Sequence, residues 1–192
     1  MMPRMRSSAL ISAAPMSRMP RGTRASGLLD AFGSAGIAKA IIERRRGTMQ
    51  PGDVFVLNAP YNGGTHLPDV TVIAPVFLGI DAEGDAAGPG PPEFFVASRG
   101  HHADIGGTTP GSMPPDSTHV DEEGVLLDNV QLVAEGCFLD AEMRAILGTG
   151  RYPSRNVDQN LADLRAQVAA CAKGAEELAR MVAHFGLSVV RA

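Results

Sequence analysis

Tryptophan is absent from this chain of 192 residues, and aromatic side chains make up only 5% of it. Stacking platforms for single-stranded nucleic acid are correspondingly scarce, so nucleic acid is not an expected partner. Cysteine is nearly as rare. Cys137 and Cys171 stand far apart in no metal-ligand spacing, which argues against a disulfide framework or a zinc finger and fits a reducing, cytoplasmic setting. No run approaches the roughly eighteen unbroken apolar residues of a membrane-spanning helix, so no membrane partner is expected. The phosphate-cradling pattern Gly-x-x-x-x-Gly-Lys-Ser/Thr is missing too, as is a dinucleotide fingerprint leading into a helix. Any ATP would need another polypeptide. What is left is ordinary globular material, 44% apolar and 20% charged, which fits one domain more easily than two.

Acidic residues are missing from the first 27 positions. Residues 1–50 carry nine lysines and arginines against only Asp30 and Glu43, while the rest of the chain carries eight basic and nineteen acidic side chains. The net charge of −4 therefore hides two halves of opposite sign. The opening stretch, rich in Arg, Ser, Pro and Met, has the composition of a mitochondrial transit peptide. Pro15 interrupts its apolar piece and no clean amphipathic face develops, so a disordered tail or a misassigned start is the better expectation.

Farther on, Leu28, Leu29, Phe32, Ile37, Ile41 and Ile42 fall near helical spacing and predict a helix over 28–46, stopped by Gly47. β-Branched and apolar runs over 53–58, 70–78 and 94–98 predict strands. A further strand pair is expected within 125–133 and a short helix over 140–147, while 81–92, thick with Gly, Ala and Pro, reads as a surface excursion. The clearest element comes last. Leu161, Leu164, Val168, Cys171, Ala175, Leu178, Met181, Val182 and Phe185 recur at steps of three and four, predicting an amphipathic helix over 157–185 with Gly186 as its stop. Cys171 on that stripe reads as a small buried hydrophobe. The expected fold class is mixed α+β: central strands, flanking helices and a long C-terminal amphipathic helix.

Chemistry is concentrated in the middle, where four of the five histidines lie between residues 66 and 119. In Tyr61-Asn-Gly-Gly-Thr-His66-Leu-Pro-Asp69 a glycine-rich turn behind a strand presents an imidazole and a carboxylate three residues apart, with Pro68 stiffening the path. Both can turn toward one point, and such a pair suits Zn, Mn or Fe. The plainer alternative is a turn in which Asp69 accepts backbone N–H bonds and His66 is an ordinary surface residue. Ser98-Arg-Gly-His101-His102-Ala-Asp104-Ile-Gly-Gly107 repeats the logic behind another strand. Consecutive histidines at a strand end point to opposite sides, so only one of His101 and His102 can join His66, leaving the other for acid–base work. Two such turns favour a three-ligand site with open positions, which is a catalytic pattern. The loop over 108–119 has a proline-stiffened backbone suited to holding hydroxyls and acids toward a substrate, with His119 expected at the surface.

Taken in order, these blocks resemble the signatures of the hydantoinase B/oxoprolinase family, which also includes the large subunits of acetone-type carboxylases. The likeness is carried by Gly52-Asp-Val-Phe, Asn58-Ala-Pro-Tyr, Gly63-Gly-Thr-His-Leu-Pro-Asp-Val70, Ser98-Arg-Gly-His-His-Ala-Asp-Ile-Gly-Gly107, Pro110-Gly-Ser-Met-Pro-Pro115 and Asp121-Glu-Glu-Gly124. Arg155-Asn156 and Asp158-Gln-Asn160 extend it into the last helix, so that it covers about 40–190. The resemblance implies a B-type component of an ATP-dependent hydrolase that opens a cyclic amide such as 5-oxoproline or a hydantoin. ATP would be handled by a hydantoinase A-type partner subunit or domain. It also implies a divalent metal (Mn, Zn or Fe) held by His66, Asp69 and His101; Asp104 and His102, beside those ligands, are the expected acid–base residues. Because members of the family are much longer, the resemblance implies a fragment, in which 40–192 is a partial domain and 1–39 a basic, non-matching segment. Two alternatives stand beside this reading: a piece of the alpha-type subunit of an acetone- or acetophenone-type carboxylase, and a non-catalytic remnant that serves only as an interaction module. An apolar helix face over 157–185 without its usual packing partner further predicts an oligomer.

Overall fold

The computed structural model describes residues 8–12, 34–80 and 90–191. Six strands, β1 (Ser8–Ser12), β2 (Val54–Leu57), β3 (Asp69–Val76), β4 (Phe94–His101), β5 (Val130–Ala134) and β6 (Cys137–Phe138), pair antiparallel in the order β1-β4-β3-β2-β5-β6. The alternation of side chains along a strand makes both faces of the centre apolar. Val54 and Val56 on β2 and Val70, Val72, Ala74 and Val76 on β3 enter one cluster, while Phe55, Leu57 and Ile73 enter another. A layer is therefore needed on each side. Helix α1 (Ser34–Arg44) supplies Ile37 and Ile41 to the second cluster, the single turn α2 (Val120–Glu123) lies between β4 and β5, and the first cluster is closed by α3 (Asp140–Leu147), α4 (Val157–Phe185) and the short α5 (Leu187–Val190). The result is the mixed α+β class that the pattern of runs predicts.

Helices α3 and α4 have the bounds expected of them. Asn156 caps α4 by accepting from the Gln159 N–H at 3.2 Å, and Gly186 ends it with φ 86°. The buried seam of α4 differs from the expected stripe. It runs through Asn160, Leu164, Gln167, Cys171, Gly174, Leu178 and Val182, which leaves Met181 and Phe185 on an exposed flank. That seam is packed on β3 and β4, so the helix face expected to lack a partner has one within the chain.

Two differences concern the sheet. Residues 8–12, within the segment expected to be a tail, form β1 and pair with β4 from Ser8↔Arg99 to Ser12↔Phe95. The strand pair expected within 125–133 lies later, at β5 and β6, joined by Glu135 and Gly136 with φ 48° and 88°, the positive-φ pair that a tight hairpin turn needs. Helix α1 starts at Ser34; the remainder of the expectation for 28–33, for the tail over 1–7 and 13–27, and for the excursion over 81–89 lies outside the described residues. Among the described residues no helix is long and apolar enough to cross a membrane.

Candidate metal centre

The bend that carries His66 is anchored from beneath. Asn58, fully buried at the end of β2, donates to the carbonyls of Leu67 (2.9 Å) and Val125 (3.0 Å) and accepts from the Leu127 N–H (2.7 Å). A single 3₁₀ turn follows at Pro60–Asn62, and then Gly63 takes φ 92°, where a Cβ would stand 2.6 Å from the Gly36 carbonyl carbon of α1. No other residue type would tolerate both the dihedral and the contact. Leu67 and Pro68 sink into the core, which turns His66 outward.

Asp69 opens β3 and pairs in register with His101, the last residue of β4. Directly opposed residues hold their Cβ atoms about 5 Å apart, so sheet register brings the carboxylate near the second imidazole. His101 Nδ1 lies 3.0 Å from Asp69 Oδ1, and His66 Nδ1 lies 3.1 Å from Asp69 Oδ2. The two imidazole centroids are 5.1 Å apart, and one ligand atom from each of the three residues falls within 4.8 Å of the others. Burial tends to raise the pKa of Asp69, but the Thr65 hydroxyl at 2.7 Å, the bond to His101 and the two imidazoles outweigh it and hold the carboxyl below the usual range.

One atom fits the donor set to a cation. His66 Nδ1 is buried and, although it lies 3.1 Å from Asp69 Oδ2, it has no hydrogen-bond partner among the described residues. A buried ring nitrogen left unpaired beside an ionised carboxylate is an energetic cost in the protein alone. The same geometry suits a divalent ion accepting lone pairs from two imidazoles and a carboxylate, and that donor set is compatible with Zn, Mn or Fe. His66, Asp69 and His101 are each partly open to solvent, as a site with free coordination positions requires.

His102 goes to the other face of the sheet, where it is fully buried against α4. Gln167 Nε2 donates to the carbonyls of Val70 (2.9 Å) and Ser98 (3.1 Å), so its Oε1 must face His102 Nε2 at 3.1 Å and accept from it. Asn160 Nδ2 donates to the Asp104 carbonyl (2.7 Å) and so also donates to His102 Nδ1 (3.0 Å). Carbonyls that can only accept thus orient both amides, and the amides select one neutral tautomer of the imidazole. Burial holds its pKa below the ordinary value, against the bond to Gln167. Asp104 is held elsewhere. Its carboxylate accepts from the N–H groups of Gly106 (3.0 Å), Gly111 (3.2 Å) and Arg155 (3.2 Å) and pairs with the Arg155 guanidinium at 2.7 Å. These bonds lower its pKa although burial opposes them.

The structure therefore brings His66, Asp69 and His101 together and places His102 and Asp104 outside that group, both with their polar atoms engaged. Reading the sequence missed Thr65 and Gln167. Thr65 carries no signal beyond adjacency to His66. Gln167 does carry one: a polar residue three after Leu164 and four before Cys171 sits on the apolar seam, where an unpaired amide is costly.

Residues 28–192 match the Hydantoinase B/oxoprolinase family. Among curated proteins, a 5-oxoprolinase of Dictyostelium discoideum is 42% identical over 151 residues, covering 79% of this chain and 11% of that protein. The chain thus spans about a tenth of the length of such relatives. Among solved structures, the ATP-dependent caprolactamase of Pseudomonas jessenii superposes with a TM-score of 0.68 at 26% identity, over 83% of this chain and 25% of that one. A nucleotide-free acetone carboxylase superposes at 0.65 with 21% identity, over 86% and 20%, which is a likeness of fold.

Proposed function

Because this chain belongs to the hydantoinase B/oxoprolinase family, we propose that it supplies the metal-binding, B-type part of an ATP-dependent hydrolase that opens cyclic amides such as 5-oxoproline or a hydantoin. The observation that carries the reading is the convergence of His66, Asp69 and His101, with His66 Nδ1 left unpaired among them. In this reading those three residues hold a divalent Mn, Zn or Fe ion. Such an ion supplies Lewis-acid polarisation of the amide carbonyl. The Thr65 hydroxyl and the bond to His101 help keep Asp69 ionised, which leaves a carboxylate for the cation. Residues 40–192 contribute to the B-type domain, and a hydantoinase A-type subunit or domain handles ATP.

His102 and Asp104 have a different role in this reading than acid–base transfer. Both ring nitrogens of His102 are engaged, and any proton movement there breaks a buried bond. Asp104 is tied to Arg155 and three backbone donors, so it acts by shaping the glycine turn after β4.

The deciding experiment pairs the chain with an A-type subunit and ATP and supplies 5-oxoproline, a hydantoin, or acetone plus bicarbonate. Ring opening that depends on Mn or Zn and is abolished in His66→Ala is the expected result. Turnover of acetone and bicarbonate alone would replace this reading with the carboxylase one, and no metal above background in the purified chain would remove its footing.

A further inference from the structure

Each proposed ligand has a neighbour in the chain that is bonded to one buried network. Pro68, between His66 and Asp69, accepts through its carbonyl from the His102 N–H at 2.8 Å. Val70, next to Asp69, accepts from Gln167 at 2.9 Å, and Ser98, three residues before His101, accepts from the same amide nitrogen at 3.1 Å. His102, next to His101, gives its Nε2–H to the Gln167 oxygen at 3.1 Å. Gln167 is fully buried, and its amide therefore meets β3, β4 and the residue beyond β4 at one point.

We propose that Gln167 is a positioning residue for the metal centre: from α4 it holds the ends of β3 and β4 at the separation that lets Asp69 and His101 share one cation with His66. The inference rests on the metal reading above. A leucine or methionine at this seam position would bury apolar area without needing matched polar partners. The amide does what they do not: its two donors bridge two strands and its acceptor fixes the imidazole beside His101. Outer partners of this kind commonly alter metal affinity about tenfold to a hundredfold.

The test uses the full chain and the metal alone. Zn(II) affinity is measured by competition with a chromophoric chelator, and Co(II) uptake by its visible absorption bands. Gln167→Met is expected to weaken Zn(II) about tenfold or more and to shift the Co(II) bands. Val182→Ala, which loosens the far end of the same helix, is expected to leave both unchanged. Gln167→Asn, of the same polarity but one methylene short of the carbonyls, serves as the second variant if the methionine form does not fold, and is expected to behave like it. Wild-type affinity and unshifted bands in the Gln167 variant overturn the proposal while the metal reading stands. If the wild-type chain takes up neither ion, the metal reading fails. Positioning is then read on the metal-free protein, where long-range ¹H–¹⁵N imidazole spectra must show the His66 and His101 signals moved by the Gln167 variant. Signals that stay in place overturn it.

Discussion

The side chain of His101 is 53% exposed and meets a carboxylate, whereas that of His102, the next residue, is fully buried and meets two amides. The pleat of β4 separates them, sending one toward the α1 side of the sheet and the other toward α4. Identical side chains therefore end with opposite capacities. His101 keeps solvent access for a ligand, and His102 uses both ring nitrogens and its N–H in bonds that hold the surrounding chain in place. The difference teaches where binding capacity and stability are kept: on adjacent residues, through the two faces of one strand.

The sharpest way to break the comparison is to remove the shared carboxylate. Four-ligand structural zinc sites hold about 10–16 kcal/mol, so one lost ligand is worth about 2.5 to 4 kcal/mol, a loss of about a hundredfold or more in affinity over most of that range. Asp69→Ala should show that loss by isothermal titration with Zn(II) while its urea midpoint moves little, since the residue lies at a partly open strand end. A large stability loss with intact Zn(II) binding would erase the division of labour.

The converse substitution works on the other face. His102→Ala removes a buried ring and strands the Gln167 and Asn160 amides, and should cost about 2–4 kcal/mol in urea unfolding. His101→Ala, half-exposed, should cost less than about 0.5 kcal/mol. Equal costs for the two would mean that burial does not divide them as described.

Asp104 sharpens the comparison by pH. Its folded pKa lies below the ordinary 3.8, so the unfolded chain binds the proton first as pH falls. The stability its bonds supply is whole above about pH 4 and is lost as pH drops through the folded value. Asp104→Asn should therefore cost about 1.5–3 kcal/mol at pH 7, with the gap to wild type closing below about pH 4 in urea titrations.

What could be read from the sequence follows from how local each signal is. Helix α4 was legible to both ends because its apolar recurrence at three- and four-residue steps and the stopping Gly186 are local to it. Strand β1 was not legible, because Ser8–Ser12 is an ordinary short apolar run whose partner is β4, about ninety positions away. The β5–β6 turn was missed for another reason: Glu135 is an unusual first residue for a turn that needs positive φ. At the site, the His66 and Asp69 bend and the opposed histidines were visible in spacing. The Asp69↔His101 register was not, since pairing across 32 residues depends on the whole β3–β4 ladder.

The smallest effect separates the two thiols. Cys171 lies on the buried seam of α4 with Sγ 3.7 Å from the Val72 carbonyl, and burial pushes its pKa up to about 12. Cys137, on β6, is exposed. At pH 8 iodoacetamide should therefore modify one thiol per native chain, at Cys137, and both only in urea. The same burial has a stability consequence of definite sign. Above the ordinary thiol value of 9.0 the unfolded chain loses the Cys171 proton while the native chain keeps it, so stability falls with rising pH. The loss attributable to this thiol is about 1.4 kcal/mol at pH 10. Comparing wild type with Cys171→Ala isolates it from the lysines and tyrosines that titrate in the same range: the variant should lose less stability between pH 8 and pH 10. Parallel curves, or two thiols modified in the native chain, would show that α4 opens from the sheet more readily than its packing implies, and the buried face would then lose its claim to be the rigid support of the exposed one.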